Sequence, residues 1–464
     1  MIDVRRVPHL RSARPVRAVA IAAVLALAVG ACGSGRSSSG SANTTGPTTP
    51  DGSTTPGSTT VVDGSQCDPS TLTQGVSGNT IKIGTSLPLS GTYSAFNAIL
   101  KGEQAYFSYV NALGGVTVAG KKYQIQLVSK DDAYDAARTS TNVDTLINSD
   151  KVFALFNTVG TKNNLGIRET VNSDCVPDLL IASGAVQWGN TKFPWMLGSE
   201  LVPYPLEMRV FVDYLLKNKP NAKIALLYAN DDFGQSYQKT LETLVKGSTL
   251  RIVKEASYNA EGADVKTQVT DLAASGADTF VIGGTLLACP AALTAAHDAG
   301  WKPLTYMSGT CVSKVLFNLG GDGADGVLSV TPLSDPADPA NAGKAAMQLY
   351  KAQVAKYQPS ADTSDGIVAY GWSTAAILQK ILEASPKLDR LSVMETARTM
   401  KGISGAGLQL PGSTFSTSKD DWFLGETFQL VKYNKAEGHS TPIGPVTDLN
   451  GQTAKLSPAS LLNS

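Results

Sequence analysis

Histidine and cysteine, the residue types most often used as metal ligands and nucleophiles, are scarce in this chain of 464 residues, which has three His and five Cys. Beyond the first 31 residues only His297 and His439 remain, and neither lies in a HExxH motif or in any paired spacing typical of a metal site. The sequence also lacks the GxSxG motif of serine hydrolases. These patterns predict neither a metal centre nor a nucleophilic catalytic site.

Two other motifs deserve a chemical interpretation. The adjacent carboxylates of Asp131 and Asp132 could bind a metal or act as acid and base, although solvated Asp residues also commonly end a strand. The GxGxxG motif at residues 321–326 precedes an apolar strand pattern at residues 327–330. A phosphate-binding loop instead connects a strand to a following helix, so we interpret this motif as a turn.

Four cysteines beyond residue 32 are candidates for disulfide bonds, which persist outside the cytoplasm. They allow three complete pairings, and buried free thiols are a further alternative. Cys289 and Cys311 each follow a candidate strand of one predicted sheet, which favours this pair. Cys67 would then pair with Cys175.

The elements that position these residues alternate between strand and helix patterns. The segment 80–113 first alternates like a strand and then places apolar residues every three or four positions, like a helix that ends at Gly114-Gly115. Similar pairs follow to about residue 182, and a second series occupies residues 204–299. Helical patterns return at residues 340–357, 366–384 and 391–402.

Two such series predict an α/β fold of two Rossmann-like, doubly wound lobes joined by hinge crossovers. The predicted boundaries are 67–202 plus about 332–415 for lobe 1, 203–331 plus about 416–440 for lobe 2, and 441–464 for a C-terminal tail. Because ligands bind at the carboxyl ends of parallel strands, two facing lobes would hold a ligand between them.

The first 31 residues have the features of an export signal. Five Arg and one Asp lie within residues 1–17, and the apolar run 18–29 would span only about 18 Å as a helix, less than a bilayer needs. The segment 29–32 resembles a bacterial lipobox. This resemblance implies that Cys32 is lipidated and holds the protein on the extracytoplasmic face of the cell membrane. An incidental thiol is the alternative.

Residues 32–66 form a predicted tether that follows this signal. Between residues 33 and 66, 26 of 34 positions are Ser, Thr, Gly or Pro, a composition that predicts disorder. The whole chain has 39 basic and 39 acidic residues, but removal of residues 1–31 leaves a net charge of −4. A nucleic-acid partner is therefore not expected.

Several short motifs of the body occur in the order found in one protein family. They are IKIGTSLPLSG at 81–91, NALGG at 111–115, DDA at 131–133, DFG at 232–234 and AGW at 299–301. Over about residues 80–435 the chain resembles branched-chain amino-acid (leucine-binding-protein-like) substrate-binding lipoproteins of ABC transporters, which are class I periplasmic binding proteins. The resemblance implies two Rossmann-like lobes with three crossovers and a ligand between them.

The resemblance also implies ligand-binding positions in both lobes. In lobe 1 these positions are Ser90, Tyr93, Phe96, Thr158, Ser183, Gly184 and Ala185. In lobe 2 they are Phe233, Thr285 and Thr310. The hydroxyl of Thr158 corresponds to the group that binds the ligand carboxylate, and an ordinary helix N-cap is the alternative role.

One position departs from the family pattern. The family pairs the ligand ammonium with a carboxylate of lobe 2, and Thr310 occupies that position here. Because a buried ammonium needs an opposite charge, either Glu200 or Asp232 supplies the acid or the ligand is not an ordinary α-amino acid.

The resemblance implies a binding protein and not an enzyme. The expected function is capture of a small amino-acid-like or polar organic ligand, without a cofactor, and its delivery to an ABC permease. A sensor of the same fold that signals to a membrane receptor is the alternative, and a lipoprotein hydrolase is a remote one. We expect a monomer whose partners are the ligand, the permease and the membrane.

Overall fold

The computed structural model describes residues 60–403 and 407–464. The predicted export signal, the candidate lipidation residue Cys32 and most of the predicted tether therefore lie outside the described residues. The described body has two mixed sheets flanked by helices, and each sheet is the centre of one lobe. This confirms the predicted α/β fold of two doubly wound lobes.

Lobe 1 is built first along the chain. Its elements are β1 (Val76–Ser77), β2 (Thr80–Leu87), α1 (Asn97–Ala112), β3 (Val116–Val118), β4 (Lys121–Asp131), α2 (Ala136–Asn148), β5 (Ala154–Phe156), α3 (Thr161–Ser173), β6 (Asp178–Ile181) and β7 (Met196–Gly198). The sheet has the order β3-β4-β2-β5-β6-β7, with β1 paired to β2. Within this order, the neighbouring strands β4, β2, β5, β6 and β7 are parallel. Apolar strands that are connected by helices predict this arrangement.

Lobe 2 follows with the same alternation. Its elements are α4 (Tyr204–Asn218), β8 (Lys223–Ala229), α5 (Asp232–Val245), β9 (Arg251–Tyr258), α6 (Lys266–Ala273), β10 (Thr279–Gly283), α7 (Ala288–Asp298), β11 (Leu304–Met307), α8 (Lys314–Gly320) and β12 (Leu328–Thr331). The GxGxxG motif forms a short 3-10 helix at Gly321–Ala324, ahead of β12, in agreement with its interpretation as a turn.

The rest of the chain completes both lobes. It forms α9 (Ala345–Tyr357), α10 (Gly366–Ala384), α11 (Arg390–Arg398), β13 (Thr427–Asn434), β14 (His439–Pro442), β15 (Thr447–Asp448), α12 (Thr453–Leu456) and α13 (Ala459–Leu462). The lobe 2 sheet has the order β14-β13-β12-β11-β10-β8-β9, and β15 also pairs with β13. β13 and β14 are antiparallel, so this sheet is mixed and not wholly parallel as the sequence suggested. A strand that arrives from the other lobe has no crossover helix to impose the parallel direction.

Helices α1 and α10 of lobe 1 pack closely against each other because each has a glycine at the contact. A Cβ atom on Gly102 would lie 2.2 Å from the carbonyl oxygen of Val368, and one on Gly371 would lie 2.1 Å from that of Ile99. Only residues without a side chain allow the two backbones to approach so closely. This contact fixes the start of α1, which carries part of the cleft described below.

Within the described residues, the chain passes between the lobes three times. The first crossover (residues 199–203) joins β7 to α4, the second (332–344) joins β12 to α9, and the third (399–403 and 407–426) joins α11 to β13. The backbone N–H of Ser334 donates to the carbonyl of Leu408 at 2.8 Å, which pairs the second crossover with the third. A Cβ atom on Gly425 would lie 2.2 Å from the carbonyl oxygen of Leu201, so the third also lies against the first.

The four cysteines of the described residues form the two disulfide bonds that the sequence favoured. Cys289 and Cys311 are bonded across 22 positions, next to the carboxyl ends of β10 and β11. Cys67 and Cys175 are bonded across 108 positions and attach the start of the body to lobe 1. The predicted pairing is confirmed, and the alternative of free thiols does not apply to these four residues.

Residues 60–66, which the sequence assigned to the disordered tether, pack on lobe 1. The backbone N–H groups of Val61 and Val62 donate to the carboxylate of Glu395 in α11 at 2.6 and 2.8 Å. The side chain of Val62 is buried, and Gly64 lies against Leu391. The two valines supply apolar surface that the Ser/Thr/Gly-rich sequence before them lacks.

The C-terminal residues also belong to the folded body. β14 and β15 extend the lobe 2 sheet, and α12 packs against α4. The chain then reaches lobe 1, where Nη1 of Arg168 donates to the backbone oxygen of Ser464 at 2.6 Å. Leu461 is buried beside Val186 and Phe423. The segment that the sequence described as a tail therefore contacts both lobes.

Candidate functional site

A cleft lies between the lobes, beside the crossovers, and the space within it amounts to about 940 Å³ when the adjoining open solvent is included. The contributing segments follow the carboxyl ends of β5, β6, β11 and β12, where ligands are expected in such sheets. Lobe 1 contributes Phe96, Ile99, Val159, Ala182, Ile367 and Tyr370 to its lining. Lobe 2 contributes Thr310, Ser313, Lys314, Phe317, Tyr433 and Ser440, and the second crossover contributes residues 332–337.

The loop after β2 brings Phe96 to the cleft, whereas Ser90 of the same loop is exposed and does not line the cleft. Ser90 Oγ donates to the carboxylate of Asp131 at 2.5 Å, and the same carboxylate accepts bonds from the backbone N–H groups of Leu89 and Ala133 at 2.8 and 3.0 Å. Asp131 therefore holds the shape of this loop, and the Ser90 hydroxyl is committed to it.

Asp132, the second acid of the candidate pair, is buried and has a similar structural role. Its carboxylate accepts hydrogen bonds from Ser86 Oγ, Thr139 Oγ1 and the backbone N–H of Tyr134 at 2.8, 3.0 and 2.9 Å. No group of three or more His, Cys, Asp or Glu side chains placed to hold a metal occurs in residues 60–403 and 407–464. The two carboxylates shape the end of β4.

Tyr93 connects the two lobes at one edge of the cleft. Its ring stacks on that of Tyr134 with 4.2 Å between centroids, and its hydroxyl donates across the interface to the backbone oxygen of Ala260 in lobe 2. Burial raises the pKa of this hydroxyl, so it stays protonated and remains a donor. Tyr93 thus makes a direct contact between the two lobes.

Thr158 and Ser183 follow neighbouring strands and lie close together. The backbone N–H of Ala182 donates to the carbonyl of Thr158 at 3.1 Å. Ser183 Oγ is 2.8 Å from Thr161 Oγ1 and accepts a bond from the Tyr204 hydroxyl at 3.4 Å. Thr158 Oγ1 is buried without a hydrogen-bond partner among the described residues. Neither side chain is part of the cleft lining.

Gly184 and Ala185 continue this loop toward the first crossover, and both are buried. A Cβ atom on Gly184 would lie 2.3 Å from the carbonyl oxygen of Val202 and 2.8 Å from the ring of Tyr204. Glycine is therefore required for the close approach of this loop to the first crossover and α4. The predicted ligand contacts at 183–185 form an interface between the lobes.

The predicted residues of lobe 2 belong to two connected groups. Phe233 packs edge-on against Tyr204, with 5.0 Å between ring centroids, and so joins the aromatic contact at the first crossover. Thr310 Oγ1 donates to Thr285 Oγ1 at 3.2 Å and lies 2.9 Å from Ser308 Oγ. Of these residues Thr310 lines the cleft, at the position where the family pattern has a carboxylate.

A buried acid near Thr310 was missed by sequence reasoning. The carboxylate of Glu207, on the inner face of α4, accepts bonds from the hydroxyls of Tyr237 and Tyr306 at 2.8 and 2.9 Å and from the backbone N–H of Gly309 at 3.0 Å. Burial raises its pKa to about 7, although these hydrogen bonds oppose the shift. No spacing in the sequence distinguishes Glu207 from an ordinary surface glutamate of a helix.

The two acids proposed as replacements for the missing carboxylate lie elsewhere. Glu200 is buried in the first crossover, where it accepts bonds from Ser373 Oγ and Thr374 Oγ1 of α10 and from Gln409 Nε2 of the third crossover. Asp232 is exposed at the start of α5. Neither residue lines the cleft.

Several lining residues were not identified from the sequence. Lys314, Leu333, Asp335, Tyr370 and Ser440 come from four segments that are distant along the chain. The two prolines at 332 and 336, just after a strand, were the available signal for the second crossover. The contribution of β14 depends on how β13 returns to lobe 2, which no local pattern indicates.

Within the residues that the structure describes, no helix combines the length and the apolar character needed to cross a bilayer.

A cleft enclosed by two doubly wound lobes and bordered by three crossovers defines a two-lobed ligand-binding protein. A family model described as periplasmic binding protein matches residues 80–437. The chain belongs to this family, whose members are extracytoplasmic ligand-binding proteins and not enzymes.

Individual relatives share limited sequence identity with this chain. The Leu/Ile/Val-binding protein homolog 7 of Brucella suis is 25% identical over 233 residues, which cover 48% of this chain and 57% of the relative. The chain thus spans little more than half the length of the curated relatives that it matches.

Solved structures share the fold over a longer stretch. A branched-chain amino acid ABC transporter protein of Thermus thermophilus with bound valine has a TM-score of 0.70 at 17% identity and covers 80% of this chain and 97% of its own. A fatty acid ABC transporter substrate-binding protein of Thermomonospora curvata has a TM-score of 0.65 at 20% identity, with coverage of 83% and 97%.

Proposed function

We propose that this protein captures a small organic ligand between its lobes and delivers it to an ABC importer. The observation that supports the proposal most directly is the cleft, because both lobes and the second crossover line it. A ligand that contacts both lobes favours the closed arrangement over the open one. A permease that recognises the closed lobes then receives the protein only when it carries ligand.

The names of the similar proteins support a small organic solute in general terms. One refers to bound valine and another to fatty acids, so this fold accommodates ligands of different chemistry. Among the residues predicted from the sequence, we retain Phe96 and Thr310 as direct ligand contacts because they line the cleft. Tyr93, Ser183, Gly184 and Phe233 are proposed to act in closure of the lobes.

Binding is tested by thermal unfolding of the purified protein against a panel of amino acids, amides, carboxylates, polyamines and aromatic acids. A ligand at 100 times its Kd should add about 2.7 kcal/mol to the free energy of unfolding. Phe96→Ala should weaken that effect, since Phe96 lines the cleft. A panel that leaves the melting temperature unchanged, while an ester or a peptide is hydrolysed, would contradict the proposal.

Membrane attachment through a lipid on Cys32 is part of the same proposal and has a separate test. Cys32→Ser should move the protein from the membrane fraction to the soluble extracytoplasmic fraction, because the acyl chains that hold it at the bilayer are lost. Recovery of this variant in the membrane fraction, in the same proportion as the wild type, would show that Cys32 is not the anchor.

Delivery is distinguished from sensing by uptake of the ligand that the panel identifies. Cells that lack the protein should lose uptake, and the wild-type chain should restore it. A variant that does not bind the ligand should fail to restore it. Normal uptake in the deletion strain, combined with loss of a ligand-dependent response, would assign the protein to signalling.

A further inference from the structure

The cleft offers a ligand mainly apolar surface. Phe96, Ile99 and Val159 form its wall in lobe 1, and Leu333 and Pro336 extend the apolar surface along the second crossover. A ligand that leaves water to occupy this surface gains from the hydrophobic effect in proportion to the hydrocarbon that it buries. The lining therefore favours a ligand with an apolar body.

The groups that would hold an α-ammonium group are committed to other partners. The Thr310 hydroxyl lies at the position of the family carboxylate and is bonded to Thr285. The carboxylate of Glu207 accepts three hydrogen bonds within lobe 2, and that of Glu200 accepts three at the crossovers. An ammonium placed beside Thr310 would thus lack an unshared opposite charge, which is costly in a partly dehydrated cleft.

Lys314 and Ser440 provide polar groups without partners at one part of the lining. The Lys314 side chain has no ion-pair or hydrogen-bond partner in the part of the chain that the structure describes, and Ser440 Oγ is buried without a partner. Phe317 lies one turn after Lys314 and stacks on Tyr433 with 4.0 Å between ring centroids. Tyr433 is in turn the cross-strand neighbour of Ser440, and all four residues line the cleft.

The other charged groups of the lining are already engaged. The carboxylate of Asp335 accepts bonds from the backbone N–H groups of Ala337 and Ser440 at 2.8 and 2.9 Å, which hold it against the second crossover and β14. The ring of His439 lies 3.4 Å from the carboxylate of Glu437. Among the described residues of the lining, Lys314 is consequently the cationic side chain left to bind an anionic ligand.

We propose that the ligand is a carboxylic acid with an apolar body, whose carboxylate is bound at Lys314 and Ser440 and whose hydrocarbon lies against Phe96, Ile99 and Leu333. This inference rests on the proposed binding function and specifies the class of ligand. A charge-assisted bond to a lysine together with a hydroxyl donor is a common way to bind a carboxylate.

The first test compares linear carboxylic acids of four, six, eight and ten carbons by titration calorimetry, with octanol, octylamine, leucine and valine as matched compounds. Affinity should rise about fourfold for each methylene that enters the apolar cleft. Octanoate should bind about tenfold more tightly than octanol, which has the same body without the charge. Tighter binding of leucine, valine or octylamine than of every acid would overturn the inference.

The second test uses Lys314→Gln, with Lys302→Gln as the control because Lys302 is an exposed lysine of the same lobe outside the lining. Lys314→Gln should reduce octanoate affinity about tenfold and leave octanol affinity unchanged. The control should alter neither. Equal octanoate affinity in the two variants would overturn the role of Lys314.

A third variant separates an acid ligand from an amine ligand. Asp335→Asn removes a negative charge from the lining, so octanoate affinity should stay the same or increase and octylamine affinity should fall. Loss of octanoate binding in this variant would overturn the inference. If another compound of the wider panel binds and no carboxylic acid does, the inference fails while the proposed function stands. If no compound binds, both fail.

Discussion

Nε2 of Gln409 donates a hydrogen bond of 3.0 Å to the carboxylate of Glu200, and this bond joins the third crossover to the first. Gln409 also forms a β-bridge with Leu333 in the second crossover. All three crossovers therefore meet around one buried carboxylate. Rotation of one lobe against the other has to be accommodated at this point. Glu200 therefore gains or loses its proton at the hinge between the lobes.

We expect the free energy of unfolding to fall as the pH rises from about 5 to about 8. Burial raises the pKa of Glu200 from 4.5 to about 7, although hydrogen bonds from Gln409, Ser373 and Thr374 oppose the shift. Between these values the folded state holds a proton that the unfolded chain has lost, so a rise in pH favours unfolding. Burial shifts the pKa values of Glu207 and Glu426 to about 7 and that of Asp178 to about 8, in the same direction. Calorimetric melting temperatures across this pH range check the sign.

Glu200→Gln removes one of these titrating groups. The loss of stability between pH 5 and pH 8 should shrink by about 3 kcal/mol, the equivalent of the shift from 4.5 to about 7. Glu169→Gln is the control, since its side chain is 82% exposed. Identical pH dependence of the Glu200 variant and the wild type would show that this carboxyl does not retain its proton in the folded state.

The two disulfide bonds should differ in their contribution to stability. Cys67–Cys175 closes a loop with a sequence separation of 108, and Cys289–Cys311 one of 22. By the loop-entropy argument, replacement of the first pair by serine should cost about 4–5 kcal/mol and replacement of the second about 3 kcal/mol. Denaturant unfolding of the two double variants measures this difference. The reverse order would mean that strain or residual structure outweighs loop length.

Tyr93→Phe should make closure of the lobes less favourable without disturbing lobe 1. The variant keeps the stacking on Tyr134 but loses the hydrogen bond to Ala260 in lobe 2. A single hydrogen bond contributes about 0.5–1.5 kcal/mol, so the Kd for ligand should rise about twofold to tenfold. Calorimetry gives the Kd, and small-angle scattering of the ligand-free protein should show a larger radius of gyration.

Tyr214→Phe is the control for this experiment, because Tyr214 lies in α4 and is not part of the cleft lining. An equal change in both variants would attribute the effect to loss of a hydroxyl in general.

Thr158→Val and Thr161→Val form a matched pair with opposite expected effects on stability. Thr158 Oγ1 is buried without a partner among the described residues, so its replacement by a methyl group should raise the free energy of unfolding by about 1 kcal/mol. Thr161 Oγ1 is bonded to Ser183, so its replacement should lower that energy by about 1 kcal/mol. Denaturant unfolding of both variants provides the comparison.

Thr158→Val also tests where the ligand carboxylate lies. Ligand affinity of Thr158→Val should stay within about twofold of the wild type, because Thr158 does not line the cleft. A tenfold loss of affinity at unchanged stability would instead place the carboxylate at Thr158, as the family resemblance implied, and would move it away from Lys314.

Local patterns were sufficient to predict the order of strands and helices. The helix at 366–384 and the turn at 321–326 appear where apolar periodicity and glycine spacing placed them. The pairing of Cys289 with Cys311 was also predictable, since both residues follow neighbouring parallel strands.

The cleft was less predictable because it is made by long-range packing. Lys314, Asp335 and Ser440 all line the cleft, although none of them has a distinctive neighbour in sequence. Ser440 reaches it only through the return of β13 to lobe 2. Residues 60–66 were assigned to the tether by composition, which averages over the two valines that pack on lobe 1. Composition describes a segment as a whole, whereas packing depends on single side chains.

The attachment of Val61 and Val62 to α11 and of Ser464 to Arg168 places both ends of the described body on lobe 1. Fluorophores or force handles attached at these two ends would report on the integrity of lobe 1 and remain insensitive to movement of lobe 2. An assay that follows capture of the ligand needs one of its two labels on lobe 2, for example at the exposed residue Lys302.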